Sequence, residues 1–305
     1  MPRILKPSFS FRSALGDLPQ QIQILDVGAM LEGEACYARL LTEGLGTVTG
    51  FEPNANERAR LERDGPEDCT WLPYFLGTGE EATFYQTRYP GCSSLYAPDP
   101  EIIDLFQTIG AGRPGGNFYV QGTERVSTHR LDDIKECPPI DFIKLDVQGS
   151  ELDILKNGVN TLANTMVVQS EVEFVALYKD QPLFGDVQVF MRKQGFQLHK
   201  LIDVAGRCMR PFTLTHSPYA AMSQALWCDA IFVRDFRTFG DLSVPALLKT
   251  AAILHEVYLS YDVVLFILRE LDRRSGGTLA ARYNDALRRS PPTQRQFMNL
   301  KEDIS

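Results

Sequence analysis

From Gln21 to Thr165 the chain alternates short runs of β-branched and apolar residues with stretches of helical spacing, and this rhythm restricts the fold severely. Parallel strands need long crossovers, usually helical, so the pattern builds a mostly parallel, doubly wound α/β sheet covered by helices on both faces. Strands are expected at Ile22–Val27, Thr47–Phe51, Trp71–Leu76, Arg125–Arg130, Asp141–Val147 and Met166–Val172. Phe196–Leu201 and Ala225–Arg234 read as a closing hairpin-like pair. Helices are expected over Glu34–Thr42, Asn56–Arg63 and Val187–Lys193. Another follows the Asp141–Val147 strand directly, with Leu152, Leu155, Val159 and Leu162 at helical spacing behind a Ser150/Asp153 N-cap pair.

The rhythm breaks in two places. Tyr89–Asn117 is rich in Gly, Pro and Ser around a short helical piece at Glu101–Gln107, a long loop of the kind that carries function. Beyond Asp235 the pattern is helical only: a segment opened by Ser243 and Pro245, a second over Val263–Arg273 stopped by Gly276-Gly277, and a weaker third over Leu279–Arg288. Pro291-Pro292 then opens a polar tail. The chain therefore divides into an N-terminal extension (1–20), an α/β domain (21–235) and a helical C-terminal appendage (236–305). Val263–Leu268 is nearly all apolar, so these helices are expected to pack either on the α/β domain or on a second copy as a homo-oligomer.

A net charge of -8 without any basic run argues against nucleic acid as a partner, because binding phosphates requires clustered Lys and Arg. The six cysteines are scattered with no Cys-x-x-Cys or Cys/His spacing, and read as free thiols rather than a metal site. No long apolar stretch follows a basic N-terminal region, so neither a signal peptide nor a membrane span is expected, and a cytoplasmic location follows.

Three constellations carry chemistry. Ile24-Leu25-Asp26-Val27-Gly28-Ala29-Met30 places an acid and a glycine where a strand turns towards a helix, the geometry of a nucleotide-type cofactor turn. Gly50-Phe51-Glu52-Pro53 puts a carboxylate at the tip of the second strand, where it can accept hydrogen bonds from ribose hydroxyls. Ile140-Asp141-Phe142-Ile143-Lys144-Leu145-Asp146-Val147-Gln148-Gly149-Ser150-Glu151 sets Asp146 at the carboxyl end of an apolar strand, the edge where ligands of open α/β sheets collect.

These motifs resemble the FkbM-type methyltransferase family, together with the Ser93-Ser94-Leu95 loop, the Arg130-Leu131-Asp132-Asp133 stretch, the Glu171–Phe174 strand end and Trp227-Cys228-Asp229-Ala230. The resemblance runs from Ile24 through Arg234 and implies a Rossmann-like fold of the class I methyltransferase type. It further implies S-adenosylmethionine as donor and a hydroxyl on a small-molecule acceptor such as a glycan or polyketide. Asp26, Gly28, Ala29, Met30, Glu52, Pro53, Asp146 and Ser94 are then the expected donor-binding residues. This chain departs from the family at Met30, where Asn is usual, and at Gln148, where Glu is usual.

Methyl transfer to an alcohol requires a base, and the candidates are Asp146 and Glu171, both at strand ends, and His129, next to the fourth strand. Asp146 ranks first, the alternative being that it holds the donor's amino group. Ser93 and Ser94 lie in the loop expected over the sheet edge, where their hydroxyls face donor or acceptor. His199 and His216 read as surface or turn residues. A nicotinamide-dependent sugar-modifying enzyme would share Gly28 and Glu52, but no Tyr-x-x-x-Lys run is present; a non-catalytic donor-binding relative is the other alternative.

Overall fold

The computed structural model describes residues 9–16, 21–29 and 34–290. Seven strands form the main sheet: β1 (Ile22–Val27), β2 (Gly46–Phe51), β3 (Cys69–Leu72), β4 (Phe142–Leu145), β5 (Val167–Glu173), β6 (Phe196–Gly206) and β7 (Ala225–Arg234). Their order is β3-β2-β1-β4-β5-β7-β6. The first five run parallel, and β7 lies antiparallel between β5 and β6. The winding reverses between β1 and β4, so the crevice of a Rossmann-like sheet opens beyond Val27 and Leu145.

The strands inside the sheet are mostly buried, β1, β2, β4 and β5 almost throughout, which is why these read as near-continuous apolar runs. On one face Ile22, Ile24, Val48, Phe142, Val167, Ile231 and Val233 pack under three helices, Val244–Glu256, Tyr261–Ser275 and Leu279–Arg289. On the other, Leu25, Val27, Ile143, Leu145, Val168 and Phe232 meet Leu152, Leu155, Val187 and Met191. Polar ties fasten the C-terminal helices: Lys249 Nζ lies 2.7 Å from Asp141 Oδ2, and the Tyr258 hydroxyl donates to Gln169 Oε1 at 2.8 Å. Inside this layer, burial pushes His255 down to about 4, so it stays neutral against the Tyr283 hydroxyl at 2.7 Å. Gly276, at φ 69° in the left-handed region, ends the second helix where the Gly-Gly pair was expected to stop it. Among the described residues no helix is long and apolar enough to cross a membrane.

Several expected boundaries change. Trp71–Leu76 is not one strand: the chain leaves the main sheet at Leu72, and Phe75–Leu76 joins a small separate sheet. There it runs parallel to Val120–His129, which pairs antiparallel with Glu81–Thr87. The expected Arg125–Arg130 strand is thus part of this second sheet, not the main one. The helix expected from Glu34 begins at Ala38, and the helical piece of the long loop is Pro100–Ile103, preceded by a 3₁₀ turn at Pro90–Cys92.

The single helix expected after β4 is two, Glu151–Lys156 and Val159–Asn164. Gly158 sits at the break because a Cβ there would lie 2.8 Å from Leu131 Cδ2, and Asp132 caps the second helix by accepting from the amides of Asn160 and Thr161 at 2.8 and 2.9 Å. Val159 is consequently exposed. Ser150 makes no side-chain cap, and Asp153 instead accepts from the Tyr96 hydroxyl.

Leu268 is fully buried under the sheet whereas Phe266, two residues earlier, is 54% exposed. Leu268→Ala should therefore cost about 2–5 kcal/mol in urea unfolding, and Phe266→Ala less than about 1 kcal/mol. Equal losses at the two positions would contradict this packing.

Candidate functional site

β1 and β4 are paired so that Asp26 stands opposite Lys144, and Val27 opposite Leu145. The two strand ends nearly touch. Gly28, at φ +84°, lies so close to the next residue of β4's chain that a Cβ on it would sit 1.8 Å from the Asp146 carbonyl oxygen. The protein's own backbone thus demands this glycine, before any ligand does.

Lys144 reaches into the same crevice, with Nζ 3.4 Å from Asp26 Oδ1, 3.6 Å from Asp146 Oδ2 and 3.4 Å from the Gly28 carbonyl. Burial alone would push its ammonium pKa down, but Asp26 and Asp146 together outweigh burial and hold it above its usual value. Asp26 is buried and also accepts from the Tyr37 hydroxyl at 2.5 Å. It therefore braces the crevice from within, while Asp146 remains partly open, its side chain 40% exposed.

Beyond Asp146 the backbone turns through Gln148, which holds a left-handed φ of 61° that a non-glycine residue seldom adopts. The Ser94 hydroxyl fixes this turn by donating to the Gln148 carbonyl at 2.7 Å. The Gln148 amide then donates to Asp146 Oδ1 at 3.0 Å and to Glu171 Oε2 at 2.6 Å, joining the two acids. The buried Tyr178 hydroxyl lies 3.1 Å from Gln148 Oε1 and 2.9 Å from the Cys92 carbonyl, donating to one at a time. Glu151 completes the loop by accepting from the amides of Val147 and Gly149 at 2.8 and 2.9 Å.

More acids surround this pair. Asp229 on β7 stands in register with Glu171 on β5, and the buried Glu173 ends the same strand. Burial first, then the charge of Asp146, holds Glu171 well above the usual carboxyl range. Glu173 is raised likewise by burial and Glu151, and Asp229 by burial. Glu151 is pushed up to about 7, because burial outweighs the backbone amides that favour its charged form.

Glu52 lies half-buried just past the end of β2, where burial raises its carboxyl and the Asn54 amide donates to Oε1 at 2.7 Å. Pro53 follows, and Arg58 donates to both backbone carbonyls, at 2.8 and 3.4 Å. Ala29 is buried against Leu61 and Trp71. Met30 lies outside the described residues.

The structure thus brings Asp26, Gly28, Asp146 and Glu171 together around Lys144 and Gln148. It places Ser94 behind them, hydrogen-bonded to backbone, and Ser93 in a turn where it accepts from Thr87. His129 is not in this group: it ends a strand of the small sheet, with its ring 4.7 Å from that of Tyr74, lining a hollow of about 350 Å³. His216 is exposed, whereas His199 is partly buried and bonded to Ser260 at 2.8 Å. Sequence reasoning missed Tyr37, Glu151 and Tyr178; only the Glu171-Val172-Glu173 alternation at a strand end hinted at further acids.

Residues 26–198 match the family model described as Methyltransferase FkbM domain, and the chain belongs to that family. It is also similar to a protein of Jannaschia sp. (strain CCS1) named "Putative methyltransferase", 30% identical over 111 residues, covering 35% of this chain. The match spans about a third of that relative's length (33%). Among solved structures, a "putative methyltransferase" of Thermoplasma acidophilum shares 10% identity with a TM-score of 0.36, over 76% of this chain and 77% of that one. A precorrin-6y C5,15-methyltransferase of Geobacter metallireducens GS-15 shares 12% identity with a TM-score of 0.34, over 73% and 84%.

Gly28→Ala should lower stability by at least about 2 kcal/mol, since it combines positive φ with a backbone clash. An unchanged urea midpoint would contradict the strand contact. A second expectation concerns pH. A carboxyl raised in the folded state loses its stabilising contribution as pH rises through its folded value, so Glu151, Glu171 and Glu173 should make the protein less stable towards alkaline pH. His199 and His255, both lowered to about 4, act oppositely, but only below about 6.5, the unfolded histidine value. Between pH 6.5 and 8 the urea midpoint should therefore fall, with a shallower slope in Glu151→Gln; parallel slopes in the two proteins would refute the raised Glu151.

Proposed function

We propose that this chain transfers a methyl group from S-adenosylmethionine to a hydroxyl oxygen of a sugar-like or polyketide-like small molecule. The observation that carries the reading is the pair of carboxylates, Asp146 and Glu171, bridged by the Gln148 amide at the switch point of the sheet. When bound, the donor supplies an electrophilic methyl on a positively charged sulfur. The crevice suits such a cation: acids crowd it, and its cation, Lys144, is already held between Asp26 and Asp146. A nicotinamide dinucleotide carries an anionic diphosphate, for which a crevice lined by acids is a poor match.

In this reading Glu52, whose backbone carbonyl accepts from Arg58, takes the hydrogen bonds of the ribose hydroxyls. Asp146 is the better base of the pair, because it is partly open to the crevice whereas Glu171 is buried and held well above the usual carboxyl range, first by burial. Lys144 and Gln148, both donors, face this carboxylate and favour its ionised form, the one that can receive the acceptor proton. The alternative role of Asp146, holding the donor's amino group, uses the same open carboxylate.

Calorimetry with S-adenosylmethionine and NAD in parallel should give heat with the first alone; binding of NAD alone would sink the proposal. Glu52→Ala should weaken donor binding by about 1.5–3 kcal/mol while leaving the unfolding midpoint in place. Asp146→Asn separates the two roles of the acid. A base should cost turnover about 10²-fold or more with donor affinity intact, and an anchor should cost affinity with turnover at saturation preserved.

A further inference from the structure

A cavity of about 530 Å³ lies between the long loop and the segment after β6, lined by Arg88, Tyr89, Thr108, Asn117, Arg207 and Tyr219. Its size falls within the roughly 300–1,000 Å³ typical of small-ligand sites. In a chain of net charge -8, two arginines face this space and, among the described residues, no carboxylate lines it. The charge is therefore opposite to that of the crevice at Asp146.

The walls are held in advance of any ligand. The Arg207 guanidinium is stacked over the rings of Trp227, at 5.0 Å, and Tyr219, at 5.9 Å, and donates to the Gly206 and Tyr219 carbonyls. Arg88 is tethered to the Gly115 carbonyl at 2.5 Å. Thr108, a β-branched residue, keeps a left-handed φ of 62°, a strained conformation of the sort that gathers at ligand sites. Tyr89 and Tyr219 are 42% and 64% exposed, offering flat apolar ring faces beside the guanidinium groups.

A guanidinium fork matches a carboxylate or phosphate, and an aromatic face matches the apolar face of a sugar ring. We propose that this cavity binds an anionic saccharide, a sugar unit carrying a carboxylate or a phosphate ester. Along the chain its wall leads towards the carboxylate site. Arg88 and Tyr89 lead directly into the turn whose Cys92 carbonyl faces the Tyr178 hydroxyl, and then into Ser94, which holds Gln148. The bound unit is accordingly a neighbour of the methylated one in an oligomeric acceptor, an assignment that rests on the sugar-hydroxyl reading given above.

The test titrates the whole chain with methyl β-D-glucuronide, glucose 6-phosphate, methyl β-D-glucoside and inorganic phosphate, reading tryptophan fluorescence, since Trp227 lies under Arg207. At least one anionic sugar should bind saturably, about tenfold or more tighter than the neutral glucoside and than phosphate alone, and the tighter of the two names the anion. Tyr219→Ala and Arg88→Ala, two changes at exposed side chains, should each weaken that binding about tenfold and leave S-adenosylmethionine affinity unchanged. Equal binding of glucoside and glucuronide, or of phosphate alone and glucose 6-phosphate, overturns the proposal, as does the absence of saturable binding to either anionic sugar. Because donor binding is measured on the same samples, a protein that binds S-adenosylmethionine but no anionic sugar refutes this cavity alone. One that binds the anionic sugar but not the donor refutes the methyl-transfer reading and leaves the cavity standing.

Discussion

The approach of β1 to β4 governs the rest of the molecule. Gly28 lets the chain pass against the Asp146 carbonyl, and there two acids, Asp26 and Asp146, lie 3.4 and 3.6 Å from one ammonium. Were the strands further apart, Lys144 could not reach Asp26, and burying that acid would be strongly unfavourable. The arrangement also fixes a division of labour. The acid braced by Tyr37 is buried, whereas the acid that ends β4 keeps an open face.

Gln148 gives the departure from the usual family residue a physical meaning. An amide nitrogen can donate to two carboxylates at once, as it does here to Asp146 and Glu171. A glutamate at this position would add a third acid to the pair and would need a proton or cation to remain there. The amide therefore suits a site already crowded by Glu151, Glu173 and Asp229. Its left-handed backbone is sustained from outside, by Ser94.

Much of the main sheet could be read from the sequence because strands buried on both faces leave uninterrupted apolar runs, and Ile22–Val27 was located to the residue. The small sheet escaped notice for the converse reason. Glu81–Thr87 is mostly half-exposed and reads as polar chain, while Phe75–Leu76 lies so near Leu72 that the two strands look like one. At the site, acids at strand ends were legible from position alone. The neighbours that hold them, Tyr37, Glu151 and Tyr178, were not, since nothing local marks a side chain whose partner arrives through tertiary packing. Ser94 shows the limit well: its hydroxyl looked available in a loop, yet a backbone carbonyl from position 148 takes it.

The three C-terminal helices carry a consequence for synthesis on the ribosome. The apolar face formed by Ile22, Ile24, Phe142 and Val167 is covered chiefly by residues past Val244, so it lacks most of its lid while roughly the first four-fifths of the chain emerge. The opposite face, covered by Leu152, Leu155, Val187 and Met191, can close much sooner. Nascent chains therefore pass through a stage with one finished side and one sticky side, and the interval before the last helices arrive is when they most need shielding from one another.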